Sequence, residues 1–262
     1  MSTRDERWLQ GTPNWVDLAT PDIATTLDFY QALFGWDVVD TGPELGNYRM
    51  CVLHNREVAG IGPAQGPGEP PTWTTYLAVD EADATCEAIT TQGGRVVMAP
   101  MAVADQGRMA VAEDPTGAVF GIWEAGSMIG MSIYNEPGTV VWNEHISREP
   151  DRAREFYAAV FGYTFAPVPG NVSYWTLTPP HGSGSVGGLG DWQGVGGDLP
   201  AHWMTYFLVE NVDDVVATAE GAGGTTAQPA FDSPFGRMAV LADATGAAFS
   251  VMSAPAQEAA EG

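Results

Sequence analysis

The chain carries one sequence pattern twice, and this duplication constrains its fold more than any other feature. The segment DFYQALFGW at 28–36 returns as EFYAAVFGY at 155–163, and GRMAV at 107–111 returns at 236–240. The spacing between copies is far above the 20–50 residues of solenoid repeats, so each copy is predicted to be a domain. A chain of 262 residues has room for two cores of ordinary size.

The repeat boundaries predict how the chain divides. We expect a first domain over 1–126, a linker over 127–138 and a second domain over 139–254. Residues 255–262 are small, polar or acidic, which is typical of a flexible tail.

Each half is predicted to contain two copies of a β-α-β-β-β unit. In the first unit, apolar residues spaced by three and four indicate a helix that ends at Gly35. The elements predicted for the first half are strands at 14–19, 36–40, 46–53 and 57–62 and then at 74–79, 95–103, 108–113 and 118–124, with the second helix at 81–92. The second half differs by a polar, glycine-rich insertion at 179–200, predicted to be mobile or a lid.

Composition excludes several classes of function. All ten basic residues are arginines, and against 33 acidic residues they leave a formal charge of −23. Lysine Schiff-base chemistry and a phosphate-loop lysine are therefore impossible. So negative a chain would repel nucleic acid and anionic lipid, so neither nucleic acid nor a membrane is an expected partner.

The sequence also favours a cytoplasmic location. It has no apolar run of signal-peptide type and none approaching the ~18 residues of a spanning helix. Both cysteines, Cys51 and Cys86, lie in the first half and have no counterpart in the second. They indicate neither a disulfide framework nor a metal site.

The β-α-β-β-β unit repeated four times resembles the vicinal oxygen chelate superfamily. The motifs that carry the resemblance are the Phe-Tyr helix signatures and the turns DPTG at 114–117 and DATG at 243–246. That superfamily includes glyoxalase I, extradiol dioxygenases and bleomycin-resistance proteins. The resemblance implies an α+β fold of two tandem domains, each a cup-shaped mixed sheet with helices outside. The first strands, WVDL and WNE, are similar to a two-domain actinobacterial, hydroxylase-like subfamily, some of whose members sit beside polyketide tailoring enzymes.

The resemblance also implies where a divalent metal would bind, through His and Glu near the start of the first strand and the end of the last strand of a unit. The corresponding positions here are Trp15, Thr74, Gly121, Trp142, Met204 and Ser250. None is a His or a carboxylate, which predicts no metal and no cofactor. Glu144, His145 and His202 form the alternative cluster, but strand alternation points His145 to the opposite face.

The repeat keeps one carboxylate in register, Asp17 in the first half and Glu144 in the second. Each should face its cup, where burial among aromatic residues would raise its pKa and suit it to act as a general acid or base. The alternative is a structural carboxylate bonded to backbone or to Arg108 or Arg237. The same two arginines, together with Arg49, are candidates to stabilise a developing enolate.

Aromatic residues supply the candidate substrate-binding set. The residues predicted to bind substrate are Trp15, Tyr48, Arg49, Trp73, Trp123, Trp142, Trp175, His202 and Trp203. The alternative is that the aromatic residues fill cores. Trp123 matches Met252, which indicates that the cups differ. The GxGxxG at 182–187 lies in the insertion with no predicted helix after it, so a dinucleotide site is not expected.

These observations predict a metal-independent protein that binds a hydrophobic, aromatic, oxygenated small molecule. The predicted chemistry is acid–base, of the isomerisation, cyclisation or tailoring kind. One alternative is a binding or sequestering protein of the resistance type, and another is a metal-dependent glyoxalase-like lyase. Since the duplication already makes a pseudo-dimer, a monomer or a homodimer is expected.

Overall fold

The protein consists of two eight-stranded mixed sheets, one from each half of the chain, joined by a short ribbon. The computed structural model describes residues 1–64, 66, 68–170, 173–191 and 199–255. The predicted tail lies outside the described residues beyond position 255.

The first half supplies nine strands and two helices. They are β1 Ser2–Thr3, β2 Pro13–Thr20, α1 Ile23–Phe34, β3 Asp37–Asp40, β4 Arg49–Leu53, β5 Arg56–Pro63, β6 Thr72–Val79, α2 Ala82–Thr91, β7 Arg95–Val103, β8 Gly107–Glu113 and β9 Val119–Ala125. The eight predicted strands and two predicted helices of this half are confirmed.

The second half repeats the pattern. Its elements are β10 Ile133–Tyr134, β11 Val140–Ile146, α3 Pro150–Phe161, β12 Thr164–Pro167, β13 Tyr174–Thr178, β14 Gly187–Gly190, β15 His202–Leu208, α4 Val212–Gly221, β16 Thr225–Ser233, β17 Gly236–Ala242 and β18 Ala248–Met252. Among the described residues, no helix is long and apolar enough to cross a membrane.

Local sequence explains the boundaries of α1. The Asp22 carboxylate accepts a hydrogen bond from the Thr25 N–H at 3.1 Å and so caps the first turn. The helix ends at Gly35, whose φ of 70° is left-handed and whose N–H donates to the Gln31 carbonyl. Glycine takes this conformation without steric cost. The predicted helix end is confirmed.

The prediction that the insertion at 179–200 is mobile or a lid is wrong in part, because the segment contains β14. This strand pairs in parallel with β11 and antiparallel with β13. Its sequence GGLG lacks the branched and aromatic side chains that signal strands, so the pattern hid it. Residues 192–198 of the same segment lie outside the described residues.

The two sheets share one topology. The first half is ordered β3-β4-β5-β2-β6-β9-β8-β7, and the second β12-β13-β14-β11-β15-β18-β17-β16. The first strands of the two units of a half pair antiparallel at the centre, so that Asp17 lies opposite Thr74 and Glu144 lies opposite Met204. We call the sheet face that carries Asp17 and Glu144 the cup face, and the other the helix face.

The helix faces of the two sheets pack against each other through the four helices. Contacts between α1 and α4 and between α2 and α3 join the halves. Phe29 and Tyr30 of the first half make edge-to-face contacts with Phe249 of the second, and Phe120 of the first half packs on Phe156 and Tyr157. The buried core therefore lies between the sheets.

A crossed pair of buried hydrogen bonds fixes this packing. The Tyr30 hydroxyl donates to Asp243 of the other half at 3.2 Å, and the Tyr157 hydroxyl donates to Asp114 at 3.0 Å. Each aspartate also accepts backbone N–H groups of its own turn. The Phe-Tyr helices and the Asp-x-Thr-Gly turns, which the sequence repeats, are thus partners across the halves.

The two crossed hydrogen bonds differ, because a histidine contacts the aspartate in only one of them. His145, fully buried on the helix face, contacts Asp114 through Nε2 at 2.7 Å. Burial acts to raise the pKa of Asp114, but the hydrogen bonds from His145 and Thr116 outweigh it and hold that pKa below its usual value. The prediction that His145 points away from the cup is confirmed.

Removing one crossed hydrogen bond should weaken the whole fold. We expect Tyr30→Phe to lower the free energy of unfolding by about 1–3 kcal/mol, because Asp243 and the Trp73 indole N–H would lose their buried partner. Urea denaturation followed by tryptophan fluorescence measures this. Tyr134→Phe is the control, since Tyr134 is half-buried and keeps its ring contact with Trp8. Equal stability of the Tyr30 variant and the parent would contradict the role given to the crossing.

Candidate active site in the second cup

A cavity of about 650 Å³ opens on the cup face of the second sheet. Strands β11, β13, β15, β17 and β18 line it, together with the β16–β17 hairpin. Most of its surface is apolar. Methionines 204, 238 and 252 form part of its walls, and Phe231 and Phe235 stand exposed on the hairpin. Such walls suit a flat hydrophobic molecule.

The polar floor of this cavity is a carboxylate held beneath two phenols. The Tyr206 hydroxyl donates to Glu144 Oε2 at 2.5 Å, and Tyr174 donates to the same carboxylate from the other side. The Trp142 indole N–H donates to the Tyr174 oxygen at 3.1 Å. Burial raises the pKa of Glu144, although the two phenols partly offset it. We call these four residues the floor of the second cup.

The first half has an equivalent set of four residues. The hydroxyls of Tyr48 and Tyr76 donate to Asp17 Oδ2 at 3.3 and 3.1 Å. The Trp15 indole N–H donates to Tyr48 at 2.9 Å. Burial raises the pKa of Asp17 to about 7, against the lowering effect of both phenols. The repeat therefore preserves a carboxylate–phenol network and not only a carboxylate.

Paired glycines make room for the phenols. A Cβ at Gly60 would overlap the Tyr48 hydroxyl, and Gly62 lies under the same ring. In the second half Gly188 and Gly190 lie under Tyr174 in the same way. Glycine on β5 and β14 is thus required by close approach of a ring, which explains why these strands lack side chains there.

The two cups differ in how far their floors are exposed. Trp15 and Tyr76 are buried, whereas Trp142 and Tyr206 are partly accessible from the cavity. One cause lies on the last strand, where Trp123 of the first half corresponds to Met252 of the second. The Trp123 indole N–H donates to the Met128 carbonyl at 2.9 Å, so the chain connecting the halves packs against this side of the first cup.

Two of the predicted substrate-binding tryptophans lie on the wrong face for that role. Trp73 and Trp203 are buried on the helix face, where their indole N–H groups donate to the Tyr30 and Tyr157 hydroxyls at 2.8 Å. Successive strand residues alternate between faces, so Trp73 points away from the cup when Thr74 points into it. These tryptophans support the crossed hydrogen bonds instead.

The predicted catalytic arginines also lie outside the cups. Arg108 pairs with Asp83 at 2.8 Å, and Arg237 pairs with Asp213 at 2.8 Å. Both aspartates belong to the first turn of a helix, on the helix face. Arg49 pairs with Asp40 on the edge strand at 2.8 Å. The expectation that these arginines clamp a substrate oxygen is corrected by this geometry.

The remaining predicted binding residues lie at the margin. Trp175 packs under the guanidinium of Arg154, 4.2 Å from the ring centre, and its neighbour Tyr174 occupies the cup. Tyr174, and not Trp175, is therefore the counterpart of Tyr48 in the first cup. His202 begins β15, and its Nδ1 lies 2.9 Å from the Pro200 carbonyl. Burial lowers the pKa of His202.

The residues present do not fit a divalent metal. The positions that the resemblance implied as ligands in the second cup, Trp142, Met204 and Ser250, all line the cavity. Indole, thioether and hydroxyl groups are poor ligands for the metals that carboxylates and imidazoles hold. Within the described part of the chain, no three His, Cys, Asp or Glu residues are grouped closely enough to hold an ion.

Sequence reasoning included Tyr48 but missed the other three phenols of the floors, Tyr76, Tyr174 and Tyr206. Tyr76 and Tyr206 end the repeated W-x-T-Y segments, and alternation from Thr74 and Met204 would have placed them in the cups. Tyr174 had no such signal, because it follows Gly162 by 12 residues whereas Tyr48 follows Gly35 by 13, so the repeat spacing of 127 residues points to Trp175 instead. The residues of the β16–β17 hairpin that contribute to the cavity were also missed.

Sequence comparisons identify relatives of the whole chain. Residues 12–122 match the model of the Glyoxalase/Bleomycin resistance protein/Dioxygenase superfamily, and residues 140–252 match the Glyoxalase-like domain. The putative glyoxylase CFP32 of Mycobacterium tuberculosis is 41% identical, over 98% of this chain and 100% of the relative. The anthracycline biosynthesis protein DnrV of Streptomyces peucetius is 38% identical, over 94% of each chain.

Solved structures share the fold at low identity. The Mn(II)-bound glyoxalase from Novosphingobium aromaticivorans superposes with a TM-score of 0.63 at 14% identity, covering 94% of this chain and 83% of that one. The 2,3-dioxygenase LapB from Pseudomonas sp. KL28 gives a TM-score of 0.64 at 10% identity, covering 95% and 94%. With two matching domains in tandem and relatives aligned over nearly their full length, this chain belongs to the glyoxalase/bleomycin resistance protein/dioxygenase superfamily.

Proposed function

We propose that this protein binds a flat, oxygenated aromatic molecule in the second cup and promotes a metal-independent proton transfer on it. The step would belong to an isomerisation, cyclisation or similar tailoring reaction. The observation that carries the proposal is Glu144 held beneath two phenols at the floor of an apolar-walled cavity of about 650 Å³. Relatives named for anthracycline biosynthesis support a role in natural-product metabolism.

The ionised Glu144 carboxylate acts as the base in this proposal. A carbon–hydrogen bond that a substrate carbonyl acidifies, either next to it or conjugated with it through a ring, breaks; the proton goes to the carboxylate, and the electron pair moves onto the carbonyl oxygen as an enolate. Once Glu144 is protonated, its neutral carboxyl group does not require hydrogen bonds from both phenols. The Tyr206 hydroxyl is then free to donate to the enolate oxygen, which replaces the role first expected of the arginines.

The proposal assigns the chemistry to Glu144 and leaves Asp17 outside the site. Both carboxylates have a raised pKa, so pKa does not distinguish them. Accessibility does distinguish them. Trp15, which belongs to the Asp17 network, is buried, and the last strand of the first sheet carries the buried Trp123. The donor set of the second cup does not fit a metal, so the step uses none.

A second candidate function is binding without chemistry, as in a sequestering protein. Phe231 and Phe235 favour it, since they are exposed on the hairpin at the cavity and would bury apolar area against any flat ligand. In that case a bound ligand would be recovered unchanged, and the proton-transfer test below would give no rate above the solvent reaction.

Blocking the second cup should abolish ligand binding. Anthracenemethanol, with its hydroxymethyl group on the central ring, is a fluorescent tricyclic probe. We expect Met238→Trp to weaken its binding at least about tenfold, because the larger side chain fills the cavity. Met109→Trp is the matched control, since Met109 faces Trp123 in the first sheet as Met238 faces Met252 in the second. Fluorescence anisotropy gives both dissociation constants, and equal weakening in the two variants would contradict the assignment to the second cup.

Proton transfer can be measured on anthrone, a tricyclic ketone whose methylene protons exchange through an enol. In D₂O without oxygen, the protein should accelerate loss of the methylene signal in the proton NMR spectrum. We expect Glu144→Gln to reduce the accelerated rate about 10²–10⁴-fold, the usual contribution of a general base. Asp17→Asn should keep it within about twofold. Loss of exchange in the Asp17 variant with retention in the Glu144 variant would place the chemistry in the first cup.

The pH profile of this exchange follows from the environment of Glu144. Only the ionised carboxylate accepts a proton, and burial raises its pKa above the usual 4.5. The protein-catalysed rate should therefore rise with pH, with its midpoint above that value, and then level off once the solvent rate is subtracted. A rate already level at the usual carboxyl pKa, or one that falls with rising pH, would exclude Glu144 as the base.

A further inference from the structure

The hydrogen-bond donors on the floor of the second cup are already directed at other groups of the same floor. The Trp142 N–H is bound to the Tyr174 oxygen at 3.1 Å. A phenol has one proton, and the hydroxyls of Tyr174 and Tyr206 both direct theirs at Glu144. The Ser250 hydroxyl is completely buried and is directed at the Tyr206 oxygen. Without rearrangement, none of these four donors is available to a ligand.

The same floor has spare acceptors. A carboxylate offers about four lone-pair sites, and the two phenols occupy two of them. An incoming ligand therefore meets acceptors at the floor and apolar side chains such as Met204 above it.

The charge of the residues that line the cavity also discriminates between ligands. The described residues that line the cavity include Glu144 and Asp191 and no arginine or histidine. An anionic group inserted to the floor would meet the Glu144 carboxylate with no cation to offset the repulsion. Burial makes that repulsion larger than it would be in water.

We propose that the second cup selects ligands whose inserted end carries a hydrogen-bond donor, a hydroxyl or a protonated amine, and rejects ethers and carboxylates at that end. This inference rests on the proposed function, because it specifies the ligand of the same cavity. It narrows the substrate class to polycyclic aromatic carbonyl compounds that also carry a hydroxyl or an amine at the inserted end. Methylation of the inserted hydroxyl would remove a ligand from this class.

Three probes with one ring system test the inference. Anthracenemethanol has a donor, its methyl ether has none, and the carboxylate of the same ring position is an anion. At about pH 8, we expect the alcohol to bind at least about tenfold more tightly than the ether, as expected for a hydrogen bond to a charged group. The carboxylate should bind more weakly than the ether. Fluorescence anisotropy measures all three.

Glu144→Gln provides the second arm of the test. Its amide presents an N–H donor where the parent has only acceptors, so the preference for alcohol over ether should fall to about threefold or less. Equal binding of alcohol and ether to the parent protein, or a ratio unchanged in the variant, would overturn the inference while leaving the proposed function intact. If no probe binds the parent more tightly than Met238→Trp, the proposed function itself fails.

Discussion

The structure depends on two buried hydrogen bonds between the halves of the chain, one donated by each half. Asp114 and Asp243 organise their own turns through backbone N–H groups and accept a phenol from the opposite half. An unpaired carboxylate at these depths would be costly, so the turns are complete only when the halves are docked. This docking sets the sheets with their helix faces together, so that the cup faces point away from the interface between the halves.

The two cups have similar floors, but the floors differ in how far they are exposed. Both floors place a carboxylate beneath two tyrosines and a tryptophan, and both use a glycine pair to seat one ring. The difference lies around the floor, where Trp123 of the first half corresponds to Met252 of the second. A loss of side-chain bulk on one strand, with the chemistry of the floor retained, is enough to account for the difference in exposure.

The sequence predicted the backbone better than the site. Periodicity and glycine caps located the helices, and alternation correctly sent His145 to the helix face. The same alternation, applied to Trp73 and Trp203, would have removed them from the binding set. The partners of Arg108 and Arg237 are far away in sequence and surface-exposed, so local pattern carried no signal for them. The glycine strand β14 was hidden because its sequence reflects a ring that lies over it and not strand propensity.

The crossed hydrogen bonds have the form of an isologous interface, in which one surface meets its own copy. In a homodimer every substitution occurs at two symmetry-related places, so both sites change together. Covalent fusion of the two copies removes that coupling, since a substitution is made once. His145 beside Asp114, with Leu18 at the corresponding place in the first half, is one such single-sided change. The duplication thus allows the second cup to hold a cavity of about 650 Å³ while Trp123 and the connecting chain pack against the first cup.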